Sequence, residues 1–314
     1  MLKKQATRDA YGKALIELGH IHEDIVVLDA DLSKSTKTAG FATEFPKRFI
    51  NAGIAEQNMM GMAAGLATTG KTVFASSFAI FAAGRAFEQV RNSIAYANLN
   101  VKVCATHAGI TVGEDGGSHQ AVEDIAIMRS IPNMTVVVPS DGVSARKALF
   151  ALYAYKGPAY LRLGRPTVPV LYEENLEFNL GKGIELKAGG DATLIACGIM
   201  VAMAQEAADK LAESGINVSV VDMHTIKPID TDLIVKKAEE TGAILTLEEH
   251  SIVGGLGGAV CEVVSEHYPV PVLRMGINDV FGQSGTPGDL LNYYNLNVSH
   301  IIQKVQDLLK KKRK

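Results

Sequence analysis

The segment THAGITVGEDGGSHQ, residues 106–120, places two histidines, two acids and four glycines within fifteen residues. Such a set can transfer protons and hydrogen-bond a polyhydroxylated molecule, because imidazoles titrate near neutrality and carboxylates accept from hydroxyls. His107 and His119 stand twelve residues apart, with Glu114 and Asp115 between them. No helical histidine pair of the HExxH kind is present, so a dedicated metal site is not expected. The competing reading is a structural turn in which Asp115 and Ser118 bond local backbone. Gly116 and Gly117 suit both readings, since each tolerates positive φ.

A second candidate is Glu56 in NAGIAEQNMMGMAAGLA, at the start of a helix rich in Met, Ala and Gly. An acid at that point can simply complement the helix dipole. The small residues Gly61, Ala64 and Gly65 nevertheless imply close packing, and a carboxyl entering an apolar contact acquires a raised pKa and can hold a proton near neutrality. Phe78 and Phe81 are spaced i, i+3, which fits a core pair or an aromatic face. IVGGLGGAV, Ile252 to Val260, lacks the Lys-Ser/Thr of a phosphate loop and reads as tight packing at a helix start.

The elements that must position these groups alternate. DIVVLDA, KTVFAS, NVKVCAT, MTVVVPS and AYLRL read as buried strands, separated by the helical patterns TRDAYGKALIELGH, AEQNMMGMAAGLATTG, FAAGRAFEQVRNSIAYA and DGVSARKALFALYAY. Ser140 or Asp141 is the expected N-cap of the last helix. The pattern predicts an α/β chain of two doubly wound domains: residues 1–168 around a parallel sheet, a Pro/Gly-rich linker over 169–188 with one short hairpin, and a smaller α/β domain over 189–314. In open α/β sheets, ligands bind beyond the carboxyl ends of strands. The histidine loop and the stretch Asp29 to Ser35 both lie at such ends.

With 314 residues, 47% hydrophobic, 21% charged and a net charge of -3, the chain can bury a sizeable core and offers no bulk attraction for nucleic acid or an anionic membrane. The basic tail LLKKKRK reads as a helix end. Three cysteines, 104, 197 and 261, form no CxxC pair and are expected to be buried thiols in a reducing cytoplasm. The start MLKKQATRDAYGKAL lacks the apolar core of a signal peptide, and no apolar run approaches a membrane span.

ATRDAYGKAL, LDADLSKST, NAGIAEQNMMGMAAGLA, FASSFAIF, the histidine loop with its continuation AVEDIAIMRSIPNMTVVVPSDG, and GPAYLRLGRP resemble, in order and spacing, the pyrimidine-binding domain of the transketolase family of thiamine diphosphate enzymes. The rest resembles that family's C-terminal domain. The GDG motif of the diphosphate- and metal-binding domain is missing. The resemblance therefore implies the C-terminal subunit of a split transketolase. An N-terminal transketolase subunit would carry the diphosphate and Mg2+ or another divalent metal, and self-association would place active sites at subunit interfaces.

The resemblance also implies roles. Glu56 matches the glutamate that bonds the cofactor's aminopyrimidine ring. Phe78 and Phe81 match aromatics packed on that ring, and Asp31 matches an acid near it. The family's third aromatic falls at Gly84, where Phe87, one turn on, is the available substitute. Arg8, Ser35 and Arg165 match positions that hold a sugar phosphate. His107 and Asp115 match contacts to sugar hydroxyls, and His119 a histidine near the reacting carbonyl. The implied reaction transfers a two-carbon ketol unit from a ketose phosphate to an aldose phosphate, as in the pentose phosphate pathway. Alternatives of the same architecture are the beta subunit of a 2-oxo acid dehydrogenase's decarboxylating component and a 1-deoxyxylulose-5-phosphate synthase-like enzyme. A regulatory or scaffold subunit is the non-enzyme alternative.

Overall fold

The computed structural model describes residues 3–312. Along them run strands β1 (Lys4–Ala6), β2 (Ile25–Asp29), β3 (Phe49–Asn51), β4 (Thr72–Phe78), β5 (Val101–Thr106), β6 (Thr135–Val137), β7 (Ala159–Arg162) and β8 (Thr167–Pro169). β9 (Ile184–Lys187), β10 (Ala192–Ala196), β11 (Val218–Asp222), β12 (Thr225–Lys227), β13 (Ile244–Ser251) and β14 (Val272–Ile277) follow. Seven strands form one sheet in the order β12-β6-β7-β5-β4-β2-β3, and five form a second in the order β14-β13-β10-β11-β9. All neighbours in the first sheet are parallel except β12 with β6.

Every residue of β2, β4 and β5 is buried, because helices cover both faces of the sheet. The two-residue period divides β2 between two cores. Ile25 and Val27 join Tyr11, Leu15, Phe74 and Leu149 under the helices Thr7–Ile21 and Gly142–Ala154, while Val26 and Leu28 face Met59, Met60 and Ala63 of the helix Glu56–Ala67. Asp141 caps the helix Gly142–Ala154, its side chain accepting from Ser144 N at 2.7 Å. The second sheet is divided likewise. Leu194, Val220 and Leu247 pack under the helices Met200–Glu213 and Val298–Lys312, whereas Ile195, Val221 and Ile244 face the core that also holds Met59 and Ala75.

That shared core departs from the expectation of two units joined by a linker. β12, from the second half of the chain, adds an antiparallel edge to the first sheet, with Val138 N donating to His224 O at 2.7 Å. The expected hairpin within 169–188 is not formed. β8 pairs with β1 at the chain start, and β9 pairs antiparallel with β11 in the second sheet. Backbone donors of an extended segment need partners, and the two sheet edges provide them. The helix expected across residues 81–97 is two wide π-helical stretches, Ile80–Arg85 and Gln89–Ala95. Cys104 and Cys197 are buried, while Cys261 is only partly so.

The chain runs from β2 outward to the edge strand β3, then returns to β4 on the other side of β2. This reversal opens a crevice at the carboxyl ends of β2, β4 and β5, the position at which doubly wound sheets bind ligands. Asp31 and Ser35 follow β2, Glu56 begins the helix after β3, Phe78 ends β4, and His107 follows β5.

Candidate active site

Asp29, buried at the end of β2, organises the first wall of the crevice. It accepts from Leu32 N at 2.6 Å, Thr36 Oγ1 at 2.6 Å and Thr38 Oγ1 at 2.9 Å. These bonds fold residues 30–38 back on the strand and fix Asp31 and Ser35. Asp31 has φ of 62° and exchanges two hydrogen bonds of 3.1 Å with Asn51 at the end of β3.

Glu56 is the first residue of its helix and only 2% exposed. Its carboxylate does not enter the wholly apolar contact that the sequence suggested. Oε2 accepts from Arg85 Nη1 at 2.9 Å, and the guanidinium carbon of Arg85 lies 4.5 Å from the Phe81 ring centroid. Phe81 lies nearly parallel to Phe78, at 12° and 6.0 Å between centroids. Phe78 in turn stacks on His107 at 3.9 Å, and His119 meets the Phe81 ring edge-on at 5.4 Å. Gly84 is exposed, and a Cβ there would meet only Ile80 Cδ1, at 3.8 Å. Phe87 does not take over that place: it packs against the core of the first sheet.

His107, only 3% exposed, has φ of 56°. Arg8 Nη1 lies 3.0 Å from His107 Nε2, and Thr106 Oγ1 lies 2.9 Å from Nδ1. A guanidinium cannot accept a hydrogen bond, so Nε2 is the acceptor and Nδ1 carries the proton, donated to Thr106. Burial, then the charges of Arg8, Arg165 and Lys37, lower the His107 pKa from 6.5 to about 3. The ring is therefore neutral, and charging it opposes folding. Its contribution to stability is complete above 6.5 and is lost as pH falls toward about 3. The expected NMR result is a His107 ring signal that does not titrate between about pH 8 and pH 5 in the folded chain. A midpoint near the ordinary histidine value would contradict the assigned tautomer and its surroundings.

Arg8 also donates to Ser35 O at 3.0 Å, and its buried Nε has no hydrogen-bond partner. Burial lowers its pKa, and the nearby charge of Arg165 adds to that. Arg165 lies 3.6 Å from Glu114 and 3.8 Å from Asp115, and it donates to Val112 O. The structure thus joins Glu56, Phe81, Phe78, His119, His107, Arg8 and Ser35 in one line of contacts, with Arg165 and Asp115 at its cationic end. Asp31 stands apart from that line, linked to Asn51. Arg85, Thr106 and Asn51 escape sequence reasoning; nothing in their spacing separates them from ordinary helix, strand and loop residues. Among the described residues no group of three or more His, Cys, Asp or Glu side chains is arranged to hold a metal ion. No helix among them is long and apolar enough to cross a membrane.

A crevice at a switch point, with a buried acid, facing aromatic rings and clustered arginines, is the site of a cofactor-dependent α/β enzyme class. Residues 3–170 match the family model described as transketolase, pyrimidine binding domain, and residues 181–301 that described as transketolase, C-terminal domain. The chain belongs to the transketolase family, whose members depend on thiamine diphosphate. It is 55% identical to a putative transketolase C-terminal section of Methanocaldococcus jannaschii, over 97% of this chain and 96% of that one. It is 41% identical to one subunit of the apulose-4-phosphate transketolase of Phocaeicola vulgatus, over 98% of both. The human transketolase is 41% identical over 98% of this chain, which spans 50% of that protein. A solved structure described as a split gene transketolase, inactive beta4 tetramer, is 56% identical, with a TM-score of 0.92 over 98% of this chain and 99% of that one.

Proposed function

We propose that the chain is the C-terminal subunit of a split transketolase, silent alone, and that with an N-terminal subunit it moves a two-carbon ketol unit from a ketose phosphate to an aldose phosphate. The observation that carries this reading is the convergence of Arg8, Arg165 and Lys37 on a neutral, buried His107. An uncharged imidazole among cations suits an anionic polyol, and the orphaned Nε of Arg8 is a donor in want of an acceptor such as a phosphate oxygen. A small 2-oxo acid makes less use of this array, which disfavours the oxo acid dehydrogenase reading. The relatives that are separate C-terminal chains support the divided arrangement.

The residues of the crevice fit the ring end of thiamine diphosphate: a buried carboxylate beside nearly parallel phenyl rings, with open space at Gly84. When bound, the cofactor supplies the nucleophilic carbon and the electron sink for breaking and making a carbon–carbon bond. This chain's own residues bind, orient and move protons around it. Glu56 holds a proton at the ring nitrogen of the aminopyrimidine, with Arg85 fixing the carboxylate. Phe78 and Phe81 exclude water from one side, and Asp31 borders the cofactor. Arg8, Ser35 and Arg165 take the sugar phosphate. His107 and Asp115 bond the sugar hydroxyls, and His119 exchanges a proton at the carbonyl oxygen. The diphosphate and its Mg2+ or other divalent ion belong to the partner, and the working particle has two of each chain. Buried free thiols agree with a cytoplasmic location.

The test is product analysis with the chain alone and with its partner, offered xylulose 5-phosphate plus ribose 5-phosphate, or pyruvate plus glyceraldehyde 3-phosphate. The expected result is ketol transfer with the first pair, only in the two-chain sample. Turnover of the second pair alone, or none in any sample, would overturn the reading.

A further inference from the structure

The histidine loop does not stand by itself on the first sheet. Ala108 and Ala121 bridge at its neck, where Gly109 N donates to Ala121 O at 2.9 Å. Between these ends the loop turns through a short 3-10 helix, Ile110–Val112, and leans on the second half of the chain. Ile110 and Val122 belong to the apolar core built by β10, β11 and β13. Gln120 Nε2 donates to Ile110 O inside the loop and to Gln283 O beyond it, each at 3.0 Å.

At the centre of this contact is Glu249 on β13, only 4% exposed. Its Oε1 accepts from Thr111 N at 2.7 Å. The first donors of a helical turn have no partner within the turn, so an acceptor from outside is required once water is excluded. The backbone wraps the carboxyl closely. Gly109 has φ of 77°, and a Cβ on it would fall 2.3 Å from Glu249 Cδ. The main chain of Glu249 is fixed too: Arg162 Nη2 donates to its carbonyl at 3.0 Å and to Ala121 O, at the loop's far end, at 3.3 Å.

We propose that Glu249 is a positioning residue for the proposed ketol-transfer site: by capping Thr111 inside the neck of the loop, it sets the stance of His107, Asp115 and His119 toward substrate. The proposal rests on the function proposed above. It gives the second α/β unit a part in catalysis that no residue of its own plays by contact. Burial raises the Glu249 pKa to about 7 against the opposing charge of Arg162, so an acceptor atom at Oε1, rather than a full negative charge, is what the loop requires.

Glu249→Gln keeps that acceptor, Glu249→Ala removes it, and Glu249→Asp withdraws it by one methylene while keeping the charge. Amide hydrogen exchange on the chain, and steady-state kinetics of the two-chain assembly, read the consequences. In the alanine variant, exchange over residues 109–120 is expected to rise about tenfold or more, while β2, β4 and β5 keep their protection. KM for the sugar phosphates rises about tenfold, with a smaller change in kcat. Glutamine restores both readings to within about threefold of the original. Should the alanine chain not fold, the aspartate variant is expected to show the same loosened loop. Unchanged loop exchange in the alanine variant, or in the aspartate variant where alanine does not fold, overturns the proposal. So does a loosened loop with unaltered KM, or a glutamine variant as impaired as alanine. If the unmodified assembly shows no ketol transfer, the proposed function fails, and the proposal for Glu249 fails as a statement about catalysis even where exchange shows the cap.

Discussion

Glu56→Gln is expected to lower ketol-transfer turnover of the two-chain assembly by about a hundredfold to ten-thousandfold, the range of a lost, well-placed proton-transfer group. The substitution is nearly isosteric. The glutamine oxygen can still accept from Arg85, which donates to Glu56 Oε2 at 2.9 Å in the native chain. What is lost is the carboxyl's ability to hold a proton at the cofactor ring. Arg85 is about half exposed, with 49% of its side chain open to solvent, so relieving its partner's charge leaves an ion that water can solvate. The melting temperature of the variant should therefore stay close to that of the parent while turnover collapses. The measurement is kcat at saturating cofactor together with thermal unfolding. Near-normal turnover would remove Glu56 from the chemistry, and a collapse in stability would mean that its place is structural.

The second large effect is on stability. Asp124 is 1% exposed and opens the helix Asp124–Ser130. Arg162 Nε donates to its Oδ2 at 2.8 Å and Nη2 to its Oδ1 at 3.1 Å, a two-pronged contact, while Tyr160 donates its hydroxyl to Oδ2 at 2.7 Å. Burial alone would raise the Asp124 pKa, but the charge and hydrogen bonds of Arg162 outweigh it and hold the carboxyl below its ordinary value. The stability from this shift is present above the ordinary carboxylate range and is lost as pH falls through the folded pKa. Asp124→Ala leaves a guanidinium buried without its counter-ion, which costs about 3–5 kcal/mol. Denaturant unfolding at neutral pH should show a correspondingly lower midpoint. The loss should reach the site as well, because Arg162 also bonds Ala121 O and the carbonyl of Glu249. An unchanged midpoint would mean that Arg162 finds water or another acceptor at no cost.

The long elements of this fold are legible in the sequence because both faces of their strands are covered, so β2, β4 and β5 read as apolar runs between turn signals. β3 and β12, each three residues at an edge of the first sheet, carry too little apolar periodicity to stand out. Residues 184–187 read as linker because β9 is an edge strand with one exposed and three half-buried residues. Glu56, Phe78, Phe81, His107, Arg8 and His119 stand out through their motifs, and the structure brings them into contact. Their companions are invisible for a geometric reason. Arg85 meets Glu56 across 29 residues of chain, and Glu249 meets Thr111 across 138, so only tertiary packing joins them. The expected apolar setting of Glu56 fails on the same ground, since the guanidinium that sits on it comes from a different element.

The most direct test of the whole account is a crystal structure of the two-chain assembly with thiamine diphosphate and its divalent ion bound. The account predicts the Glu56 carboxylate at hydrogen-bond distance, about 2.6–3.2 Å, from the ring nitrogen of the aminopyrimidine, with the diphosphate and metal held by the other polypeptide. An aminopyrimidine lodged away from Glu56, or a diphosphate and metal held by this chain itself, would contradict it.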